Sequence, residues 1–288
     1  MITIKAHSKL NLFLNITGRR ADGYHNLDTV FLPISLADEM QIEMIGERKL
    51  QLTCEGMNLP EDNTIARAYE MMKRLRPCMP GLSVKLIKHI PQGAGLGGGS
   101  ADAASFITAV NKEYAIRLTI KQMLEIGTQI GADVPACMMG VPSCGSGTGT
   151  ELTGLGRNPK PLNIVVIKPT VSFSTPDMYK KYDDLTASGR LRISDKSSAQ
   201  MAEAVKAGDL KEICDNLYNV FEDVADSSEI YDAKSALIQA GAKGALMTGS
   251  GSAVFGLFAS QEEAEKAAGE LSLKYEATFC TSYGNISQ

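Results

Sequence analysis

The stretch PQGAGLGGGSADAAS, residues 91–105, crowds five glycines into one short loop. They are Gly93, Gly95, Gly97, Gly98 and Gly99. Such a loop can turn sharply and bring backbone N–H groups close to a ligand. Ser100 and the alanine-rich segment after it predict a helix that starts at Ser100. Because loop N–H groups beside a helix N-terminus attract anions, the stretch predicts a phosphate-binding loop.

Several phosphate-binding families are excluded by what surrounds this loop. Gly93, Gly95 and Gly98 satisfy G-x-G-x-x-G, but no second strand ending in Asp or Glu follows about 20 residues later, as dinucleotide binding requires. The loop has no Gly-Lys-Ser/Thr of a Walker motif, and the chain has no VAIK-like, HRD or DFG run of a protein kinase. A plain strand-to-helix turn needs only one or two glycines, which favours phosphate binding.

The composition describes an ordinary globular chain. Its 288 residues allow one large domain or two smaller ones with a real core. A net charge of −4 without a basic cluster argues against nucleic acid or an anionic membrane as the main partner. No apolar run approaches 18 residues and the N-terminus lacks a signal-peptide core, so we expect a cytoplasmic protein. The sequence leaves a monomer and a homodimer both open. The six cysteines are scattered, which indicates reduced thiols. With only three histidines, the chain offers little for a zinc site.

The N-terminal residues predict a strand followed by a polar loop. Residues 2–16 alternate in polarity, so that Lys9 and Asn11 share one face of the strand. An edge strand with one solvated face would give the same pattern. The loop of residues 18–25 ends in Tyr24 and His25, and its simplest interpretation is a hairpin turn with an exposed ring.

Asp133 lies in the segment Gly-Ala-Asp-Val-Pro, residues 131–135. The preceding helix begins at a capping box of Thr119 and Gln122 and ends at Gly131. Pro135 forces Val134 into an extended conformation, which places the acid on a constrained turn. A surface aspartate in a turn beside glycine and proline is the common alternative.

The order of the remaining elements predicts an α+β fold. Residues 27–45, 50–54 and 82–90 predict strands, and residues 64–76 a helix. Residues 162–168 predict a strand buried on both faces. The second half is predicted to contain helices at 177–183, 196–206, 209–224, 227–240 and 261–274, with strands at 243–247, 253–259 and 276–282. This change to a helix-rich order predicts two lobes, 1–160 and 161–288.

Three segments together resemble the GHMP kinases, which are small-molecule kinases with a non-Walker phosphate loop. They are PQGAGLGGGSADAA at 91–104, GADVP at 131–135 and MTGSGSAVFGLF at 247–258. The segment SKLNLFLNITGRRADGYHNLDT at 8–29 is similar to the start of the members that phosphorylate 4-diphosphocytidyl-2-C-methyl-D-erythritol. The resemblance runs from about Ile4 to Phe258. It implies a two-lobed α+β fold with the active site in the cleft between the lobes.

The resemblance also implies a reaction. ATP and Mg²⁺ would serve phosphorylation of the cytidine diphospho-methylerythritol to its 2-phosphate, in non-mevalonate isoprenoid biosynthesis. In that family a lysine and an asparagine of the first strand face the acceptor hydroxyl, and they match Lys9 and Asn11. The catalytic aspartate matches Asp133. An aspartate within reach could take the proton of the alcohol, and a nearby lysine would favour the forming alkoxide.

Further positions carry over to the two nucleotides. The family's cytosine-binding aromatic and histidine match Tyr24 and His25, the second aromatic of the sandwich matches Tyr179, and a hydroxyl contact matches Thr175. The adenine-side asparagine matches Asn63. The metal ligands stay open, with Ser100 as one candidate. The implied phosphate-loop residues are Pro91, Gly93, Gly95, Leu96, Gly97, Gly98, Gly99, Ser100 and Ala101.

One departure from the family keeps alternatives open. The family's G-x-G-E reads Gly-Thr-Gly-Thr at 147–150, so the expected acid is missing unless Glu151 replaces it. A non-catalytic nucleotide-binding paralogue is one alternative, against which intact Lys9 and Asp133 speak. A sister GHMP kinase with another alcohol acceptor is the second, and the aromatic residues of the cytosine site argue against it. A dehydrogenase is less favoured, since the ribose-binding acid is absent.

Overall fold

The computed structural model describes residues 1–156, 160–191 and 194–284. The chain forms two compact units, each assembled from non-contiguous segments. The first unit contains Met1–Lys9, Leu36–Ile90 and Gly97–Gly140, and the second contains Leu10–Ser35, Pro91–Leu96 and Val141–Gln288. These units do not follow the boundary expected near residue 160, and the predicted lobes 1–160 and 161–288 stay a prediction.

Two long strands, β1 (Ile2–Arg19) and β2 (His25–Ile45), contribute residues to both units. Residues 8–14 of β1 are buried whichever face they occupy. The alternative interpretation of this segment as an edge strand with a solvated face is therefore wrong. Alternation in polarity failed as a guide to burial here because polar Lys9 and Asn11 are themselves buried.

The first unit combines strands with helices. Strand β4 (Gly81–Ile87) pairs antiparallel with the end of β2, and parallel with β3 (Leu50–Cys54). The apolar core of this unit includes residues from these strands and from the helices. The helices are α1 (Thr64–Leu75), α2 (Gly98–Glu113), α3 (Ile120–Ile130) and α4 (Val134–Met139).

Local sequence signals explain which face of α1 is buried and where α3 begins. Ile65, Tyr69 and Met72 recur at helical spacing in α1 and are fully buried, each contributing about 1.5–3 kcal/mol of apolar burial. The capping box of Thr119 and Gln122 is present, which confirms the predicted start of α3.

Two predictions around the glycine loop are wrong in detail. Helix α2 begins at Gly98 rather than at Ser100, because Gly97 takes the N-cap position in a left-handed conformation, with φ 71°. Asp133 lies in a turn, as predicted, and is the N-cap of the short helix α4, but Val134 begins that helix and is not extended as expected. Pro135 did not prevent this helix, since proline is tolerated in the first turn, where backbone N–H groups lack partners.

A four-stranded sheet of the second unit contains β7 (Leu162–Lys168), β9 (Gly244–Met247), β10 (Val254–Phe258) and β11 (Ala277–Tyr283), in the order β11-β7-β10-β9. The prediction that residues 162–168 form a strand buried on both faces is confirmed by β7, with its central residues fully buried. Helices α9 (Ser228–Gln239) and α10 (Gln261–Leu271) pack against this sheet.

The other elements of the second unit are shorter. Strand β5 (Ser143–Ser146) pairs antiparallel with β2 and with β6 (Glu151–Gly154), and a turn at 147–150 joins β5 to β6. The remaining elements are α5 (Thr175–Ala187), α6 (Ser198–Ala207), α7 (Leu210–Asn216), β8 (Tyr218–Asn219) and α8 (Val220–Ala225).

The predicted single helix over 209–224 is wrong, because β8 divides it into α7 and α8. Tyr218 pairs with Phe13 of β1, which holds the chain extended at this point. The Asn219 side chain accepts a hydrogen bond from the Phe221 N–H and donates to the Met247 and Gly249 carbonyls. Tertiary partners thus override the local helical pattern.

The strands and helices fall into separate runs, which confirms the predicted α+β class. Among the described residues, no helix is both long enough and apolar enough to cross a membrane.

Candidate active site

Lys9 and Asp133 form an ion pair in the first unit. Lys9 Nζ lies 3.1 Å from Asp133 Oδ2. The Lys9 side chain is 5 % exposed, whereas that of Asp133 is 35 % exposed, so the carboxylate remains open to a ligand. An accessible carboxylate beside a fixed positive charge can take a proton from an alcohol while the charge stabilises developing alkoxide. The structure thus brings these two predicted residues together.

Gly97 lets the start of helix α2 approach this pair closely. A Cβ at Gly97 would lie 3.1 Å from Lys9 Cε and 3.6 Å from Asp133 Oδ2. Gly98, Gly99 and Ser100 form the first turn of α2, and Ala101 donates its N–H to the Gly97 carbonyl. Because the first N–H groups of a helix lack acceptors within it, this end can receive an anion next to Lys9 and Asp133.

The earlier half of the glycine loop, Pro91–Leu96, belongs to the second unit. Gly95 has a φ of 74°, and a Cβ there would lie 2.2 Å from the Thr248 carbonyl oxygen. The Ala253 N–H donates to the Ala94 carbonyl at 3.0 Å. The later glycine-rich segment at 248–252 therefore packs against the first. The sequence did not predict this contact, because only glycine's missing side chain hints at a close approach.

Two predicted asparagines use their side chains within the protein. Asn63 caps α1 through its Oδ1, which accepts from the Ile65 and Ala66 N–H groups, and its Nδ2 donates to the Pro60 carbonyl. Asn63 was predicted on the adenine side of ATP, and that role stays a prediction.

Asn11 is buried in the second unit. Its Nδ2 donates to Thr29 Oγ1 at 2.8 Å, and its backbone N–H donates to Thr248 Oγ1 at 2.9 Å. These bonds anchor β1 to its neighbours. Contact of Asn11 with an acceptor hydroxyl also stays a prediction.

The rings of His25 and Tyr179 stack, with centroids 4.9 Å apart and planes 28° from parallel. Tyr179 also contacts Phe221 edge-on at 5.0 Å. Tyr24, next to His25 in the chain, is 67 % exposed. The structure thus brings together His25 and Tyr179, two of the three residues predicted to hold a base, and leaves the Tyr24 ring accessible.

Asp183 is the residue of this cluster that the sequence analysis missed. Its Oδ1 lies 2.7 Å from His25 Nε2, and its Oδ2 lies 3.4 Å from Arg19 Nη1. A signal was available, since Asp183 follows Tyr179 by four positions on a predicted helix and such residues share a face. At the start of the same helix, predicted Thr175 shares a 2.8 Å hydrogen bond with the Ser250 hydroxyl.

A second lysine–carboxylate cluster, formed by Lys88, Asp38 and Asp102, was also missed. Lys88 Nζ donates to Asp38 Oδ2, and to Asp102 Oδ2 at 2.8 Å. Asp38 Oδ1 accepts the N–H groups of His89 and Ile90 at 2.6 and 2.8 Å. Burial raises the pKa of Asp102 to about 7. The attraction of Lys88 opposes this increase, and the negative charge of Asp38 adds to it. The cluster ties residues 88–90, directly before the glycine loop, to helix α2.

The departure at residues 147–150 has a simple local arrangement. Thr148 and Thr150 share a hydroxyl hydrogen bond of 3.2 Å. Glu151 accepts a hydrogen bond from Ser146 Oγ at 2.9 Å and is exposed at the end of the turn. Glu151 therefore has a local structural partner. Within the described residues, no group of three or more His, Cys, Asp or Glu side chains could hold a metal ion.

Two family models and several named relatives match this chain. The model of the GHMP kinases N terminal domain matches residues 63–141, and that of the GHMP kinases C terminal region matches residues 201–277. The chain is 38 % identical to a 4-diphosphocytidyl-2-C-methyl-D-erythritol kinase of Caldanaerobacter subterraneus subsp. tengcongensis, over 92 % of this chain and 91 % of that protein. It is 32 % identical to the kinase of the same name from Clostridioides difficile, over 96 % and 94 %.

Solved structures give the same result. A crystal structure of 4-(cytidine 5'-diphospho)-2C-methyl-D-erythritol kinase superposes with a TM-score of 0.83 at 30 % identity, covering 99 % of this chain and all of that one. Mevalonate kinase of L. major superposes with a TM-score of 0.75 at 17 % identity, over 98 % and 96 %, and shares the fold. The resemblance found in the sequence is confirmed, and the chain belongs to the 4-diphosphocytidyl-2-C-methyl-D-erythritol kinase family of GHMP kinases.

Proposed function

We propose that the chain transfers the γ-phosphoryl group of ATP to a hydroxyl of 4-diphosphocytidyl-2-C-methyl-D-erythritol, giving the 2-phosphate and ADP in isoprenoid precursor biosynthesis. The observation that carries the proposal is the Lys9–Asp133 pair, with an accessible carboxylate beside the glycine-rich start of α2. The names of the relatives support the choice of substrate. That both units serve one substrate rests on membership of this family.

Asp133 acts as the general base in this proposal. Its carboxylate takes the proton of the acceptor hydroxyl as the hydroxyl oxygen attacks the γ-phosphorus and the bond to the ADP oxygen breaks. Lys9 lies 3.1 Å from that carboxylate and stabilises negative charge on the attacking oxygen. Phosphoryl transfer needs little covalent help from protein, so positioning and charge compensation account for most of the catalysis.

The glycine loop and the first turn of α2 hold the nucleotide phosphates, through backbone N–H groups that are unused within the helix. Mg²⁺ usually takes one or two protein oxygens and several from phosphate and water. The half-buried hydroxyl of Ser100, in that same first turn, fits such a role. The ion would neutralise phosphate charge when bound.

The cytosine base lies against the rings of Tyr24 and Tyr179, with His25 at its edge. Stacking on an aromatic ring is worth about 1–3 kcal/mol per base. Tyr179 already stacks on His25, so a base would lie beside the imidazole or replace part of that contact. Thr175, at the start of the helix that carries Tyr179, contributes a hydroxyl.

A coupled assay of ADP release tests the proposal. The protein is given ATP with either the cytidine diphosphate substrate or the corresponding methylerythritol phosphate that lacks cytidine. We expect turnover with the first and at most weak turnover with the second. Equal turnover would indicate a sister kinase with a smaller acceptor, and ATP binding without turnover would indicate a non-catalytic paralogue.

Substitution of the rings provides a second arm of this test. Tyr24→Ala and Tyr179→Ala should each raise the KM for the cytidine substrate about tenfold or more, since a stacking face is lost. The KM for ATP should stay nearly constant. Tyr24→Phe and Tyr179→Phe are the matched controls and should be nearly neutral, because the ring face does the stacking. Loss of ATP affinity instead would contradict the assignment.

A further inference from the structure

Three side chains of helix α5 surround the imidazole of His25. Tyr179 stacks on its face, Tyr182 meets it edge-on at a centroid distance of 5.8 Å, and Asp183 lies 2.7 Å from Nε2. These residues come from within about one helical turn and therefore share a face of α5. The His25 side chain is 7 % exposed. These contacts hold the imidazole in one orientation. An exposed ring in a loop would lack such contacts.

The contact with Asp183 decides where the ring carries its hydrogen. An ionised carboxylate can only accept hydrogen bonds, so at 2.7 Å the hydrogen must lie on Nε2. The other oxygen of Asp183 lies 3.4 Å from Arg19 Nη1, which supplies a positive charge beside the carboxylate. A ring that carries its single hydrogen on Nε2 has a lone pair on Nδ1, which is then an acceptor.

We infer that Asp183 is a specificity-determining positioning residue, which keeps Nδ1 of His25 an acceptor and so selects cytosine over uracil. This inference rests on the proposed function, in which His25 lies at the edge of the base. Cytosine has an amino group at position 4, which donates to an acceptor. Uracil has a carbonyl oxygen there, which would face the Nδ1 lone pair without a hydrogen between them.

The ring geometry suits this form of recognition. The His25 and Tyr179 planes differ by 28°, with offset centroids. A base stacked on Tyr179 beside the imidazole would lie nearly in the plane of His25. Hydrogen bonds of an imidazole nitrogen lie in the ring plane, so Nδ1 would meet the edge of the base rather than its face. Asp183 contacts Nε2, the nitrogen on the opposite side of the ring from that edge.

The first test is the protonation pattern of His25 in the 15N-labelled full chain, measured by long-range 1H–15N NMR at neutral pH without substrate. The chain has only three histidines, so the signals are few and are assigned by replacing His7 and His89 in turn. We expect a hydrogen on Nε2 and none on Nδ1. A hydrogen on Nδ1, in either a neutral or a doubly protonated ring, would overturn the inference.

The second test compares kcat/KM for the cytidine substrate and its uridine counterpart. Asp183→Asn should lower the preference for cytidine about tenfold or more, because an amide can donate to Nε2 and move the hydrogen to Nδ1. The loss should appear in the KM for the cytidine substrate, with kcat nearly unchanged. Asp183→Glu, which keeps the carboxylate, should restore part of the preference.

Asp184→Asn is the matched control. Asp184 is the next residue of α5, is exposed and undergoes the same change in charge. It should leave both the preference and the His25 signals unchanged. An unchanged preference in Asp183→Asn, or an equal loss in Asp184→Asn, would refute the role of Asp183.

The two hypotheses fail in different ways. If the unmodified protein turns over neither nucleotide substrate, the proposed function is wrong, whereas the NMR measurement still decides the tautomer. If it turns over the cytidine substrate but Asp183→Asn keeps the cytidine preference, only the role of Asp183 is wrong. Should Asp183→Asn fail to fold, Asp183→Glu and the tautomer of the unmodified protein decide.

Discussion

The first unit contains two lysine–carboxylate clusters on either side of the start of helix α2. In one, Lys9 meets Asp133, whose side chain is 35 % exposed. In the other, Lys88 meets Asp38 and Asp102, which are 0 % and 5 % exposed. The first cluster has one acid for one base, and the second has two acids for one. The chemistry of the side chains is the same, but access to a ligand and charge balance differ.

This difference in exposure distinguishes a carboxylate that can reach a substrate from one that stabilises the fold. A general base must reach the proton it removes, and the side chain of Asp133, the proposed base, is accessible. Asp38 instead uses its oxygens on Lys88 and on the backbone N–H groups of His89 and Ile90, directly before the glycine loop. We therefore expect changes at Asp133 to affect turnover and changes at Asp38 to affect stability.

The largest expected effect is on the rate, at Asp133. Asp133→Asn should lower kcat roughly 10²–10⁴-fold, because a lost general base costs about that much. ATP affinity should change only a few-fold, and the free energy of unfolding should change less than in Asp38→Ala, since an accessible amide still faces Lys9. Lys9→Ala should affect the same step, so the double variant should be far from additive. Steady-state kinetics and ATP binding measure these effects, and near-normal kcat in Asp133→Asn would rule out the base.

The next effect is on stability, at Asp38. Asp38→Ala leaves Lys88 with one acid and two backbone N–H groups without their acceptor. Breaking a buried pair in this way costs about 3–5 kcal/mol. Chemical denaturation measures the free energy of unfolding. Glu39→Ala, at the neighbouring position, is the control and should change it by about 0.5 kcal/mol or less. If Asp38→Ala and Glu39→Ala had the same free energy of unfolding, the supporting role assigned to Asp38 would be wrong.

A smaller effect should appear in the pH dependence of stability through Asp102. Its pKa is raised from 3.8 to about 7, so the folded state binds this proton more readily than the unfolded state. Stability then falls as pH rises through that window, and the cost is complete above it. Asp102→Asn removes the dependence. Denaturation across this range should show the native protein losing stability relative to Asp102→Asn, and a constant difference would contradict the raised pKa.

The smallest effects should come from two adjacent glycines that face different clusters. Gly97→Ala forces a left-handed residue and approaches Lys9 Cε at 3.1 Å, so it should cost about 1 kcal/mol and slow turnover several-fold. Gly98→Ala lies within α2, where alanine gains helix propensity, but approaches Ile90 at 3.1 Å and Lys88 at 3.4 Å. It should leave turnover nearly unchanged. Kinetics and denaturation of both variants compare them, and the reverse order would contradict this assignment.

Much of the local structure could be predicted from the sequence. The strands and most helices follow from hydrophobic periodicity and caps, as for α1 and α3. The helix over 209–224 failed because Tyr218 pairs with β1 and Asn219 bonds to distant carbonyls. The start of α2 failed because Gly97 can adopt a conformation that an N-cap rule for serine does not anticipate.

The sequence by itself determined the glycine loop, the strand of Lys9, the turn sequence around Asp133 and the family, since these depend on neighbouring residues. Only the tertiary structure decided which acids meet which bases. His25 and Asp183 are 158 residues apart, and Lys88 and Asp38 are 50 apart. No local spacing encodes such pairs, because they form only when packed elements bring distant side chains within about 3 Å. Whether a carboxylate is accessible, as in Asp133, or enclosed, as in Asp38, is likewise a result of packing.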